Sequence, residues 1–423
     1  MLSDEDFNQI CEECSLQTYK LSELTTALTD KVTEQGYTVV SESQLTAMMT
    51  NRSAQDSIAL NFLSTGRVNN FTPAIIKAEK QQTEVVRYSS DYQSPTVNIE
   101  QSLQALSGMP FCSIFDDDLV SLLVKLLTLS QTKTAKVDEA TLSKVLIPST
   151  VSPVIRHALR CQLKHLNIDL VVLDYDKASG CVALAQLEAF DADDVLAVVL
   201  AWPNFFGQLE DISQISEWVE KSASLLIGIS NTVSLSYLKS PFTLSHGKLD
   251  YLLGDLQAMG LAVNQGGHSP TFLASRDKQA DEFSVDAVRQ EFTRDLNVIQ
   301  SYLSVTGLSG LHQSVQQSNE MLRLLVEKLT VVDGVTKRFL TDNANECVIE
   351  IAQIDIEKAL KILSGHNMVL GYLLQDDYPE LSNCLLVYCS DQHTLNDVEK
   401  LAGKVATVVK NLSTAGCPVK PKF

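Results

Sequence analysis

The stretch DYLLGDLQAMGLAVNQGGHSPTFLASR, from Asp250 to Arg276, is laid out like a reactive site. An apolar segment runs into a small, polar, Gly-rich turn, and a second apolar segment follows. An α/β protein places a reactive side chain or a phosphate at such a strand end. The side chain on offer is Gln257, and the residues immediately around it include no Lys, Cys or Ser nucleophile. A second constellation is Cys11 and Cys14, the one C-x-x-C pair in the chain. It has no matching second pair, and the nearest histidine is His157, so no metal site is expected. A helix beginning near Ser3 would simply put the two thiols one turn apart.

The elements that must position Gln257 follow from periodicity. SKVLIP (Ser143 to Pro148) reads as a short apolar strand. PVIRHALRCQLKHLN follows as a helix with Pro153 at its start, and IDLVVLDYD as a second strand, which makes one βαβ unit. VLAVVLAWPN, ISQISEWVEKSAS and LLIGIS continue as strand, helix and strand up to LDYLLGD. The pattern predicts a largely parallel sheet covered by helices on both faces. SDEDFNQICEEC and SESQLTAMMTNRS read as capped helices near the start. Two long amphipathic helices, VDAVRQEFTRDLNVIQSYLSV and SVQQSNEMLRLLVEKLTVV, open the last third. NECVIEIA, IEKALKILSGHN, NCLLVYCS and TLNDVEKLAGKVATVVKNL then give strand, helix, strand, helix. The expected division is a helical segment over 1–65, a large α/β domain over 66–280, and long helices with a small α/β domain over 281–423.

The 423 residues are 45% hydrophobic and 20% charged, an ordinary globular composition. Lys plus Arg number 33 against 52 Asp plus Glu, a formal net charge of -19. So negative a surface repels nucleic acid and anionic membranes. The acidic start is no signal peptide, and the run Val195 to Trp202 is too short to span a bilayer. Nine scattered cysteines suit a reducing compartment. The expectation is a cytoplasmic protein.

One stretch is more specific. VVLAWPNFFGQLEDI (Val198 to Ile212) resembles the strand and turn of subunit 1 of glycine dehydrogenase (decarboxylating), the first half of the glycine cleavage system P-protein. NFLSTG (Asn61 to Gly66), DYQSP (Asp91 to Pro95), ALSGM (Ala105 to Met109), YLKSP (Tyr237 to Pro241) and GGHSPTFLASRDK resemble further motifs of that family. So does DDYPELSNCLLVYCSDQHT near the end. The resemblance covers about residues 35 to 410. It implies a pyridoxal-phosphate (PLP) transferase fold of the aspartate-aminotransferase type, with a large, mostly parallel sheet domain and a small C-terminal domain. It also implies that a partner, subunit 2, carries PLP on a Schiff-base lysine, while Gln257 in GDLQAMG matches the glutamine of subunit 1. A glutamine forms no imine with PLP, so no catalytic residue is expected on this chain. The implied complex decarboxylates glycine and passes the aminomethyl group to the lipoyl H-protein. Tyr92, Gln93 and Asn204 are the candidates for an active-site wall or an interface.

Several positions depart from that family's pattern. Asn70 and Phe71 replace a histidine pair, and Ser152 replaces a histidine. Asn231 stands where an aspartate would pair with the pyridinium nitrogen. FDDDL (Phe115 to Leu119) replaces YDGAT at the turn that faces phosphate, and Asp117 there adds a repelling charge. The departures leave an alternative to the subunit reading, a non-catalytic relative that keeps the fold and has lost the cofactor site. Either reading implies assembly, with subunit 2 or as a homodimer. Phe62, Tyr92, Trp202, Phe205 and Phe206 are expected on the assembling face, where a monomer would expose them, the alternative being that they are all core.

Overall fold

The structure is a computed structural model that describes residues 60–61, 96–133, 143–190, 194–222, 224–261, 269–278, 290–341, 343–352 and 354–414. These residues fall in the unit Ala59–Phe423. The helices expected near the start of the chain, with Cys11 and Cys14, lie outside the described residues.

Helix α1 (Thr96–Ser107) leads into strand β1 (Phe111–Phe115) and helix α2 (Leu119–Lys133). Strand β2 (Ser143–Pro148), helix α3 (Pro153–Leu163) and strand β3 (Ile168–Leu173) form the expected βαβ unit. Strand β4 (Val195–Trp202), helix α4 (Ile212–Ser222), and strands β5 (Leu225–Ser230), β6 (Tyr251–Asp255) and β7 (Thr271–Ser275) complete the large sheet. Its strand order is β1-β7-β6-β5-β4-β2-β3. All eight residues of β4 are buried, because parallel neighbours flank it on both sides. The sheet is not wholly parallel. β7 runs against both β6 and β1, so the first residue of β7 lies at the edge where its neighbours end.

Alternate strand residues feed two cores. Val198, Leu226, Leu252 and Phe272 face one side, with α1 and the start of the next long helix. Ile147, Val199, Ile229, Leu253 and Leu273 face the other, against Leu122, Leu126 and Leu127 of α2. The two long helices expected in the last third are present and meet at Gly307 within one span, labelled α5 (Gln290–Thr330). A φ of 64° and ψ of 171° there leave the helical region, a conformation glycine adopts freely. Ile299 and Tyr302, before the break, pack on the large sheet. Leu322 and Leu325, after it, pack on the second sheet.

That second sheet contains strands β8 (Val335–Lys337), β9 (Glu346–Ile351), β10 (Tyr372–Leu373) and β11 (Cys384–Tyr388), in the order β10-β11-β9-β8 and antiparallel throughout. Helices α6 (Ile356–Ser364) and α7 (Leu395–Thr414) cover it. Among the described residues no helix is long and apolar enough to cross a membrane.

The WPNFFG motif overturns one expectation. Trp202 and Phe206 are 4% and 0% exposed. Phe206 meets Tyr175, Tyr378 and Phe339 with ring centroids 5.1, 4.9 and 5.2 Å away. Phe205 is half-buried and stacks on Tyr378 at 6.0 Å. Trp202 and Phe206 are therefore taken up within the chain, Phe206 at the seam between the large and small sheets, and are not on an assembling face, while Phe205 beside them stays partly open. Phe62 and Tyr92 lie outside the described residues.

Candidate functional site

The carboxyl edge of the large sheet is where a ligand would sit on this topology. Gln257 lies there, two residues past the end of β6 and half-buried. Its backbone N–H donates to Asp255 Oδ1 at 3.1 Å. Lys248 precedes β6, at the opposite end of the strand, and pairs with Glu220. The backbone is tight on the approach to the turn. A Cβ on Gly254 would come within 2.5 Å of the Phe272 ring and 2.7 Å of the Ser230 carbonyl. Thr232 Oγ1 donates to the Asp255 carbonyl, which ties the end of β6 to the segment after β5.

Asp255 itself is open to water. Burial by surrounding protein nevertheless raises its carboxyl above the ordinary range, and the Gln257 N–H only partly offsets this. Among the described residues no Lys or Arg forms an ion pair with it.

Asn231 follows β5 on the next strand, and its Oδ1 is buried without a hydrogen-bond partner. Asp117 is paired with Lys125, both carboxylate oxygens at 2.9 Å from Nζ, so its charge is largely answered within the chain. Its neighbour Asp118 is the residue that sequence reasoning missed. Asp118 Oδ1 accepts from the N–H groups of Val120 and Ser121 at 3.0 and 3.1 Å, and Oδ2 accepts from Ser121 Oγ at 2.6 Å. The start of α2, a natural anion cradle, is closed by the chain's own carboxylate. The signal was available, since an Asp directly before the run LVSLLVKLL is a helix N-cap.

Asn204 is 2% exposed, and its bonds are spent inside its own turn. Nδ2 donates to Gly180 O at 2.9 Å and Glu210 Oε1 at 2.8 Å. Oδ1 accepts from Phe206 N at 3.0 Å and Gln208 N at 2.9 Å. That leaves no polar atom of its side chain for a ligand, and Asn204 holds the turn that delivers Phe206 to the seam. Glu210 anchors the same network, accepting also from Thr150 Oγ1 at 2.7 Å and Val182 N at 2.8 Å. Burial pushes its carboxyl up, with these donors opposing. Gly207 lets the turn touch β9, since at φ 77° a Cβ would lie 2.0 Å from the Glu346 carbonyl.

Ser152 stands at the N-cap of α3 and makes no side-chain cap bond. Tyr92, Gln93, Asn70 and Phe71 lie outside the described residues. Among the described residues no three His, Cys, Asp or Glu side chains gather as metal ligands.

The fold is shared with several solved structures. A glycine decarboxylase (P-protein) of the glycine cleavage system, in inhibitor-bound form, superposes with a TM-score of 0.68 at 19% identity, over 96% of this chain and 99% of that one. A Burkholderia pseudomallei sphingosine-1-phosphate lyase gives 0.65 at 11% identity, over 95% and 93%. A Sphingomonas wittichii serine palmitoyltransferase gives 0.61 at 13%, over 83% and 88%. The architecture is therefore the PLP-dependent transferase fold. In sequence, the chain is 25% identical to the probable glycine dehydrogenase (decarboxylating) subunit 1 of Nitrosomonas europaea, over 94% of this chain and 92% of that protein. It is also 25% identical to the same-named protein of Nitrosospira multiformis, over 88% and 90%. The family description "Glycine cleavage system P-protein" matches residues 14–284, more than half of the chain, and the chain belongs to that family.

Proposed function

We propose that this chain is subunit 1 of a glycine dehydrogenase (decarboxylating), paired with a PLP-bearing subunit 2 in a complex that decarboxylates glycine and passes the aminomethyl group to a lipoyl H-protein. The observation that carries this reading is likeness along nearly the whole length of proteins named as subunit 1, with Gln257 at the turn where a lysine would be needed. PLP supplies an electron sink when bound. The residues at this chain's own carboxyl edge do not fit it. Gln257 has no amine to condense with an aldehyde. The N–H groups at the start of α2 are taken by Asp118, and Asn231 is a neutral amide where the resemblance implies an aspartate would pair with a ring nitrogen. The cofactor therefore belongs to the partner. This chain's part is to hold a rigid large-and-small-domain body against that partner, with Tyr92 and Gln93 as the candidate wall residues.

The test is reconstitution. The purified chain should show no exchange of glycine carboxyl with carbon dioxide, alone or with H-protein. Exchange should appear when a cofactor-bearing companion co-purified from the same cells is added. Exchange by the chain alone would overturn the reading. The closed start of α2 favours a second reading, a non-catalytic assembly protein, and a companion that binds yet yields no exchange would select it.

A further inference from the structure

Helix α3 presents two soft metal ligands to solvent. It buries Pro153, Leu159 and Leu163, and at about 3.6 residues per turn His157 and Cys161 fall on the opposite side. Both are exposed, and among the described residues neither side chain has a hydrogen-bond or ion-pair partner. Of the six cysteines described, Cys161 alone is exposed. Free cysteine is ordinarily among the most buried of residues, so a thiol left in water is informative. The chain has only seven histidines, yet two of them, His157 and His165, stand four residues to either side of this one thiol.

Helix geometry decides which donors can share an ion. Residues four apart lie one above the other, with Cβ atoms about 5–6 Å apart. That is the spacing at which two imidazoles of a helix hold zinc. It lets a nitrogen and a sulfur reach one tetrahedral ion at about 2.0–2.1 Å and about 2.3 Å. His157 and His165 are twice as far apart in sequence, about 12 Å along the axis, so one ion cannot bond both. His165 also lies past Leu163, the last residue of α3, and the pair that the helix itself fixes is His157 with Cys161. With no three-ligand group among the described residues, the ion's other positions fall to water or to a donor from another molecule.

We propose that His157 and Cys161 form a two-ligand site for a soft divalent cation, zinc, on the outer face of α3. Imidazole and thiolate suit zinc, whereas magnesium and calcium take oxygen donors. On binding, Cys161 gives its proton to water, a zinc–sulfur bond and a zinc–nitrogen bond form, and two of the ion's waters leave. No electron is transferred. The bound ion covers the one exposed thiol of the described chain. The site uses neither Gln257 nor a partner chain, so it stands or falls apart from the subunit reading.

The test uses the full chain alone. The rate at which iodoacetamide labels Cys161 is followed by peptide mass spectrometry, which keeps Cys11 and Cys14 out of the readout. Zinc should slow the labelling, and magnesium should not. Protection should weaken as pH falls from about 7.5 to about 6.5, because protons compete for the sulfur. His157→Ala should need at least about tenfold more zinc for half protection, since losing even a residue that only orients a ligand costs about 10–100-fold in metal affinity. His165→Ala should need the same zinc as the native chain. All three side chains are exposed, so these variants keep the fold. Labelling of Cys161 that zinc leaves unchanged would overturn the proposal. So would half protection at the same zinc concentration in the native chain and His157→Ala, which would mean that the thiol binds alone or with another donor. Loss of protection in His165→Ala would equally overturn the pair.

Discussion

Replacing Phe206 with alanine tests whether the motif that identifies this chain is a seam and not a surface. The side chain is fully buried and walled by three rings, two of them, Tyr378 and Phe339, from the small-sheet region. A buried phenyl ring removes about 150–250 Å² from water, roughly 4–6 kcal/mol at about 25 cal/mol per Å². That is an upper value, since the unfolded chain already hides part of this area. Measured Phe→Ala changes in cores fall at about 3–5 kcal/mol, and the edge-on ring contacts argue for the middle of that range, about 4 kcal/mol. This is a large share of the ~5–15 kcal/mol that holds a domain. Trp202 and Trp218 are the chain's two tryptophans, so fluorescence reads the large sheet, whereas far-ultraviolet circular dichroism reads both domains. In urea, the two signals should move together for the native sequence. They should separate in Phe206→Ala, the dichroism falling first, and Phe206→Leu should lie in between. A loss below about 1 kcal/mol with coincident curves would refute the seam.

Gly207→Ala should yield little native protein, costing well over the ~1 kcal/mol of an ordinary misfit, because strain at positive φ adds to the overlap with the Glu346 carbonyl; recovery of soluble protein and its melting temperature check this. Asp118→Ala should lower stability by about 1 kcal/mol through loss of the α2 cap, measured as a shift in urea midpoint. Glu210 gives a pH signature. Burial raises its folded value, so the native state holds that proton longer than the unfolded chain, which releases it near about 4.3. Its contribution is full below that value and is lost as pH climbs through the raised one. Glu210→Gln should therefore improve relative to the native sequence as pH rises from 4 to 7, and a constant or reversed difference would count against it.

The strands and helices that carry alternating or 3.6-residue patterns were legible, β2 through β6 and α3 through α7 among them. The reversed β7 was not, since TFLAS reads the same in either direction and only pairing with FCSIF fixes its sense. The site was legible in part. Gln257 and Asn231 stand at the expected edge, and Asp118 could have been read as the cap of α2, but that Asn231 Oδ1 is buried without a partner is set by packing, which no spacing encodes. The aromatics of WPNFFG misled because a hydrophobic cluster in a turn looks alike whether another chain or a distant part of the same chain covers it.

The seam also sets a schedule for synthesis. The Ser149 carbonyl receives the Tyr378 hydroxyl at 2.7 Å across 229 residues of chain, and Tyr175 waits almost as long for Glu380. At about 5–20 residues per second, a ribosome takes roughly 10–45 s to cover that interval. During this time the nascent large sheet can be complete while Phe206 stands uncovered. Phe206 precedes Tyr378 by 172 residues, so the emerging chain presents a sticky aromatic face for roughly 9–34 s of every round of translation. Messages truncated before Phe339 would yield a product that aggregates, not a smaller working domain.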